Sequence, residues 1–258
     1  MDARLPIAVF DSGMGGVSVL RALRALLPRE NYLYFGDSAN APYGVRPYDE
    51  IMSLAKNAVR YLVGEGIKAL VIGCNTVTSV AVKTLRAEYP NLIIVATEPA
   101  VKPAVLSKPG GTILVMATEA TTHGENFISL VHRYEGDAKI VKCPCPGLME
   151  FVERGEMDSE NLRAYLRKRF EVLRGVKPDS VVLGCTHYPF VSGAIRAVLG
   201  EDVELFDPAP GLARQAKRQL ASAELLNPQQ DEGTIRWENS SPDPGMIELG
   251  KRLLRMKS

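Results

Sequence analysis

Two cysteines, Cys74 and Cys185, stand at equivalent places in two similar segments of the chain, ALVIGCNT and SVVLGCTHYP. Each segment has an apolar run ending in Gly-Cys, then polar residues, then an apolar helical pattern. Such a run is typical of a central strand of a parallel sheet, and ligands of open α/β sheets bind beyond the carboxyl ends of the strands. Two thiols there could serve opposite faces of one carbon, one removing a proton and the other donating one. The pair therefore indicates inversion of a carbon acid, with the sulfurs about 6.5–7 Å apart.

A single cysteine at a strand end is more often a small buried hydrophobic residue. The repeated context of Cys74 and Cys185 favours a functional role, because both precede polar residues and predicted helix N-termini. Helix N-termini stabilise thiolates and bind carboxylates. We therefore expect the pKa of a catalytic thiol to lie below its usual value near 8.5.

The turn DSGMGG, which begins at Asp11, has two interpretations. It resembles a dinucleotide fingerprint, with Gly13 and Gly15 in place and Asp37 where a ribose-binding acid would lie, but Ser18 occupies the third glycine position. A carboxylate beside a pyrophosphate is also repulsive. Asp11 fits better near an ammonium group, or as a hydrogen-bond partner on the side of the first cysteine, with a helix N-cap as the structural alternative.

Four further candidate residues accompany these motifs. Tyr43 and Gly44, after Pro42, can present backbone N–H groups and a hydroxyl to an anion, or form a plain surface turn. His187 can hold or relay the proton of the neighbouring thiol, or cap the next helix. Glu153 can orient His187 from the rim of the site, or remain solvated.

Strand and helix patterns alternate along the chain and occur in two series of matching order. This alternation predicts an α/β fold of two pseudo-symmetric doubly wound domains with mainly parallel sheets, and an active site in the cleft between them. A proline-containing segment, EPAVKPAVLSKPGG, marks the boundary between the series. Helices are expected near 121–133 and 189–199, TIRWE is expected to form a short edge strand, and residues 246–256 are expected to form a terminal helix. The predicted domains are 1–97 plus 208–258, and 98–207.

Composition excludes several classes of protein. The 31 basic and 30 acidic side chains leave a net charge of +1, so neither a nucleic acid nor an anionic membrane is expected as a partner. No apolar run approaches a membrane span, and the start lacks a signal-peptide pattern, which favours a cytoplasmic protein with free thiols. Cys143 and Cys145, in KCPCPG, lack the spacing of a zinc site and are expected to be buried where a strand ends; no metal is expected.

Taken together, DSGMGG, GDSANAPYG, GCNT and GCTHYP resemble the glutamate racemase family, in the family's order over about residues 5–220. The resemblance implies that Cys74 and Cys185 are the two catalytic acid/base residues, acting on glutamate without a cofactor. It further implies the following glutamate-binding residues: Asp11, Ser12, Tyr43, Gly44, Asn75, Thr76, Thr186 and His187. Supporting positions implied by the family are Thr118, Thr121 and Glu153.

Such enzymes supply D-glutamate for peptidoglycan in the cytoplasm, so the resemblance also implies a role in cell wall biogenesis and cell shape, and allows a homodimer. The chain departs from the family at Ala117-Thr118, where Gly-Thr is usual, and in its atypical last segment. Three alternatives stay open: an aspartate racemase or related isomerase of the same superfamily, a nicotinamide-dependent oxidoreductase that uses the first turn, and a non-catalytic binding protein with a cleft.

Overall fold

A computed structural model describes residues 2–256, in which two parallel β-sheets are flanked by helices. Within that range the first sheet has five strands in the order β4-β3-β1-β2-β9, and the second has four in the order β6-β5-β7-β8. Every pairing is parallel. The predicted α/β class with two mainly parallel sheets is therefore confirmed.

The strands of the two sheets include the apolar runs that precede Cys74 and Cys185. They are β1 (Ile7–Asp11), β2 (Tyr32–Gly36), β3 (Ala69–Ile72), β4 (Ile93–Ala96), β5 (Thr112–Ala117), β6 (Lys139–Pro144), β7 (Ser180–Gly184), β8 (Glu204–Phe206) and β9 (Ile235–Asn239). The strands β1, β3 and β7 are buried along their whole length, because helices cover both faces of the sheets. The TIRWE segment contributes residues 235–238 to β9, which pairs with β2 at the edge of the first sheet, as predicted.

Helices connect successive strands on both faces of the sheets. They are α1 (Val17–Leu26), α2 (Tyr48–Gly64), α3 (Asn75–Glu88), α4 (Val101–Ser107), α5 (Glu119–His123), α6 (Glu125–Tyr134), α7 (Leu148–Glu153), α8 (Glu160–Phe170), α9 (Ser192–Leu199), α10 (Ala209–Ser222) and α11 (Gly245–Arg255). No helix in the described part of the chain combines the length and the apolar character that crossing a membrane requires.

Two helical segments differ from the sequence prediction. The proline-containing boundary segment includes α4, where Pro103 lies in the first turn and its missing N–H breaks no helical hydrogen bond. The helix predicted near 121–133 is divided into α5 and α6 at Gly124, whose backbone is extended. A side chain at Gly124 would meet Ser79 of α3 at 3.1 Å, so the break coincides with close packing between the two series.

A buried ion pair links the residues that precede β2 and β3 in the first sheet. Lys68, just before β3, has no exposed side-chain surface and pairs with Glu30, which is also buried. The Lys68 ammonium also donates to the carbonyl of Ala3, and Glu30 accepts from the backbone N–H of Asn227. The pair thus joins the start of the chain, the strand that leads to Cys74, and the segment before β9.

Candidate active site

The two cysteines of the repeated motif lie one or two residues beyond the carboxyl ends of inner strands. Cys74 follows β3 and Gly73 and occupies the N-cap position of α3, and Cys185 follows β7 directly. Their exposed fractions are only 6% and 8%. The helix expected immediately after Cys185 is instead a 3₁₀ turn over Tyr188–Val191, with α9 starting only at Ser192. Only Cys74 therefore sits directly at an α-helix N-terminus.

The Cys74 thiol is held in its protonated form. Its Sγ lies 3.3 Å from the Oγ of Ser12. Burial raises the pKa of Cys74 to about 12, and the negative charge of Asp11 adds to this effect, while Ser12 and the N–H of Val77 oppose it weakly. The expectation of a lowered pKa is wrong for this cysteine, because desolvation of the thiolate outweighs the helix N-terminus. Cys74 is therefore protonated at neutral pH.

A chain of three side chains leads away from the other thiol. The Sγ of Cys185 lies 3.7 Å from Nδ1 of His187, and Nε2 of His187 lies 2.9 Å from Oε1 of Glu153. Burial lowers the pKa of His187, but hydrogen bonds and charge from Cys185 and Glu153 outweigh it, so the pKa is raised well above its usual value. Burial raises the pKa of Glu153, but His187 and the N–H of Met14 outweigh it and lower it. The group is an imidazolium flanked by a sulfur and a carboxylate, with Glu153 orienting His187.

Asp11 bonds across to the second series and not to the first cysteine. Its Oδ2 accepts from the hydroxyl of Thr186 at 3.0 Å, and its Oδ1 accepts from the N–H of Gly13. Burial raises the pKa of Asp11 to about 6, with the charge of His187 opposing the rise. The alternative of a helix N-cap does not hold, because Gly16 is the N-cap of α1 and no side chain caps it.

The glycines of DSGMGG make room for side chains of the second series. A Cβ at Gly15 would lie 2.3 Å from Nδ1 of His187, and one at Gly13 would lie 2.6 Å from Oε1 of Glu153. Ser18, at the expected third glycine, lies with its Oγ 2.9 Å from the carbonyl of Thr186. The turn thus makes room for His187 and Glu153 of the second series, which accounts for its glycines without a dinucleotide.

A second set of hydrogen bonds joins the two series on the threonine side. The hydroxyls of Thr76 and Thr118 lie 3.0 Å apart, and the Thr118 hydroxyl donates to that of Thr121 at 2.9 Å. A Cβ at Gly44 would lie 2.9 Å from Cβ of Thr118, so the turn over Tyr43–Val45 also packs against this group. Thr118 therefore contacts Thr76, Thr121 and Gly44.

Asn75 is the predicted site residue whose polar atoms are left unpaired. Both the oxygen and the nitrogen of its side-chain amide are buried and find no hydrogen-bond partner among residues 2–256. Buried amide groups are almost always hydrogen-bonded, because an unpaired one costs about 1–3 kcal/mol. Since Asn75 adjoins Cys74 at the first residue of α3, its free amide marks a place for a polar ligand.

Asp37 belongs to the site's surroundings, although sequence reasoning considered it only as a ribose-binding acid. Its buried carboxylate accepts from the hydroxyl of Tyr43 and from the side chain of Asn40. Its backbone N–H donates to the carbonyl of Asp11. The sequence signal that could have identified Asp37 is its position, because it directly follows β2, the strand that pairs with β1. Asp37 positions Tyr43.

Cys143 and Cys145 are buried at the end of β6, as predicted. Both are 2% exposed, and their sulfurs lie 3.8 Å apart. Across residues 2–256, no cluster of three or more histidine, cysteine, aspartate or glutamate side chains is arranged to hold a metal ion.

Known proteins share both the sequence and the arrangement of this chain. Residues 14–216 match the family described as Asp/Glu/Hydantoin racemase. A glutamate racemase from Clostridium novyi is 44% identical over 252 residues, covering 97% of each chain. The glutamate racemase of Francisella tularensis in complex with D-glutamate superposes with a TM-score of 0.86 at 25% identity, covering 99% of this chain and 95% of that one. The Escherichia coli enzyme in complex with L-glutamate and the activator UDP-MurNAc-Ala gives 0.84 at 28% identity, covering 97% and 95%.

Proposed function

Because the chain belongs to the Asp/Glu/Hydantoin racemase family and is an amino-acid racemase, we propose that it interconverts L- and D-glutamate by proton transfer at Cα between Cys74 and Cys185. Similar proteins named as glutamate racemases, among them structures holding D- or L-glutamate, support glutamate as the substrate. The observation that carries the mechanism is the pair of thiols at the ends of β3 and β7.

The environments of the two thiols assign opposite starting roles. Burial raises the pKa of Cys74, which can therefore donate a proton as a thiol, whereas Nδ1 of His187 lies 3.7 Å from the sulfur of Cys185, to which we assign the role of base. The Cys185 thiolate removes the Cα proton of L-glutamate, and the Cys74 thiol protonates the opposite face to give D-glutamate. The turnover leaves a thiol at Cys185 and a thiolate at Cys74, which is the form that acts on D-glutamate. No redox change occurs, and the mechanism includes no cofactor.

Polar groups around the thiols match the charges of an amino dicarboxylate. The unpaired amide of Asn75 and the N-terminus of α3 suit a carboxylate. Asp11 suits the α-ammonium group, since a nearby cation would stabilise its buried carboxylate. We assign the remaining substrate contacts to Ser12, Tyr43, Gly44, Thr76, Thr186 and His187, supported by Thr118, Thr121 and Glu153.

We further propose that residues 1–97 plus 208–258 form one domain and residues 98–207 the other, with the substrate bound between them. The hydrogen bonds Thr186–Asp11 and Thr76–Thr118 join the two proposed domains at this place. The enzyme would act in the cytoplasm, as a homodimer, and supply D-glutamate for peptidoglycan and hence for cell wall biogenesis and cell shape.

Solvent exchange at Cα tests the proposed function. The dialysed protein is incubated in D2O with L-glutamate or D-glutamate, and loss of the Cα–H signal is followed by NMR, with both aspartate enantiomers as controls. We expect deuterium to enter from either glutamate enantiomer without added pyridoxal phosphate, metal or nucleotide. Exchange of aspartate in preference to glutamate would contradict the substrate, and activity restored only by a cofactor would contradict the mechanism.

A further inference from the structure

Met14 carries the one side chain of the glycine-rich turn after β1. Between Ser12 and Val17 the chain reads Gly-Met-Gly-Gly, and glycine backbones adopt many conformations at little cost. The carbonyl of Gly13 is held by the hydroxyl of Tyr34 at 2.8 Å. The side chain of Met14 is therefore the only side-chain anchor that the rest of this glycine-rich stretch provides.

This anchor is buried against the C-terminal segment, which comprises β9 and α11. Met14 is 1% exposed, and its Sδ accepts from the side-chain amide of Asn239, at the end of β9, at 3.2 Å. A Cβ at Gly250 of α11 would lie 2.3 Å from Cε of Met14 and 2.9 Å from Cζ3 of Trp237. The absence of a side chain at Gly250 thus leaves the space that the end of Met14 occupies.

The backbone of Met14 contacts a residue of the second series. Its N–H donates to Oε1 of Glu153 at 2.8 Å, and the same oxygen lies 2.9 Å from Nε2 of His187. Although burial lowers the pKa of His187, its contacts with Cys185 and Glu153 raise it well above its usual value. The N–H of Met14 therefore holds the oxygen that orients His187 and favours its charged form.

Glu153 has a competing environment on its other side. Its side chain is 14% exposed and lines a cavity of about 630 Å³ between α7 and α11, whose walls include Arg252 and Arg255. Guanidinium groups bind carboxylates strongly. A Glu153 carboxylate that loses the N–H of Met14 is drawn toward these arginines and away from His187.

We propose that Met14, held by Asn239 and Gly250 of the C-terminal segment, is a positioning residue that fixes the Glu153 carboxylate against His187. The C-terminal segment thereby acts on the active site through the turn after β1. For its effect on turnover this inference rests on the proposed two-thiol racemisation, in which His187 adjoins Cys185.

The pKa of His187 reports this positioning without any turnover. It is measured by NMR titration of protein labelled with ¹⁵N in its three histidines, and the His187 signals are those missing from His187→Gln. In Met14→Ala we expect the pKa of His187 to fall by about 1–3 units, the usual effect of losing an opposite charge within about 4–6 Å. His123 and His132 should titrate as in the wild type.

Two further variants separate positioning from loss of packing. Met14→Leu refills most of the space and should keep nearly the wild-type pKa of His187. Leu220→Ala is the matched control, because it removes the same number of non-hydrogen atoms from a fully buried side chain of α10 and leaves the turn unchanged. Met14→Ala should also lower kcat about tenfold or more, since a misplacement of about 1 Å can cost about a hundredfold. The leucine variant and the control should not.

Gly250→Ala tests the same contact from the side of α11. The added methyl group overlaps Cε of Met14, which is bounded by Asn239 and Trp237, so Met14 must shift. We expect the pKa of His187 and kcat to fall as in Met14→Ala. Adding Met14→Leu, which lacks Cε, should restore both, whereas two independent defects would add.

A wild-type pKa of His187 in folded Met14→Ala would overturn the proposal, as would an equal fall in Leu220→Ala. If Met14→Ala does not fold, the Gly250→Ala pair decides. A folded Gly250→Ala with the wild-type pKa, or one that Met14→Leu does not restore, would also overturn it. A wild-type enzyme that does not racemise glutamate would refute the proposed function, while the titrations still decide whether Met14 positions Glu153.

Discussion

Replacing Asp11 by asparagine should stabilise the folded protein at neutral pH, and this gain should shrink as the pH falls. The Asp11 carboxyl is fully buried, and burial raises its pKa from 3.8 to about 6. A carboxyl whose pKa is higher in the folded than in the unfolded state binds its proton more tightly in the folded state. Ionisation of Asp11 therefore costs stability, and the cost grows as the pH rises from about 4 to above 6.

The size of this effect follows from the shift in pKa. A change from 3.8 to about 6 corresponds to about 3 kcal/mol of folding free energy at pH 8, at about 1.36 kcal/mol per unit. At pH 4 the same two values leave only about 0.5 kcal/mol, because the carboxyl is then protonated in the folded state. Asparagine keeps an oxygen to accept from Thr186 or Gly13 and has no charge to bury.

Urea unfolding of wild type and Asp11→Asn at several pH values between 4 and 8 measures the prediction. The difference in free energy of unfolding should grow by about 2.5 kcal/mol over this range in favour of the variant, while racemase activity falls. Asp202→Asn is the control, since Lys177 lowers the pKa of this exposed carboxyl and the variant should show a small effect of opposite sign. A difference between wild type and Asp11→Asn that stays constant with pH would refute the reasoning.

Further variants test the stability of the fold and the roles of residues in and near the site. Lys68→Met leaves Glu30 buried without its partner and should lower the free energy of unfolding, measured in urea, by about 3–5 kcal/mol. Adding Glu30→Gln should recover most of this loss. A double variant whose loss equals the sum of the two single losses would contradict the prediction. Cys143→Ala and Cys145→Ala should racemise glutamate at nearly the wild-type rate, so loss of activity in a folded variant would require a catalytic role for this pair. Thr118→Val removes a hydroxyl that bonds two other threonines and should raise KM roughly tenfold, for about 1.4 kcal/mol of lost hydrogen bonding, with little change in kcat; an unchanged KM would exclude Thr118 from the substrate site.

The sequence predicts the sheets well because their signals are local. Apolar runs bounded by polar and glycine residues coincide with β3 and β7, and TIRWE forms the edge strand β9. The repeated Gly-Cys ending also predicts that both thiols lie at carboxyl ends of strands. The break at Gly124 and the 3₁₀ turn after Cys185 depart from the predicted helices, since both depend on packing against other elements.

The pKa values of buried groups and the contacts between distant parts of the chain do not follow from such local signals. The pKa of Cys74 depends on how completely the surrounding elements bury its sulfur, which no motif reports. The bond between Asp11 and Thr186 joins residues 175 positions apart and depends on how the two series pack together. For the same reason, the sequence alone leaves a dinucleotide as an alternative explanation of Gly15, whereas in the folded protein a side chain at this position would collide with His187.

The central claim is that Cys74 and Cys185 each serve one face of Cα, and exchange by the two alanine variants tests it most directly. Cys74→Ala and Cys185→Ala are incubated separately with each glutamate enantiomer in D2O, with Cys143→Ala as control, and Cα–H loss and chirality are followed together. Neither variant should racemise; Cys74→Ala should retain slow exchange of L-glutamate only, and Cys185→Ala of D-glutamate only. Near-normal racemisation in both directions by either variant would contradict the two-thiol account.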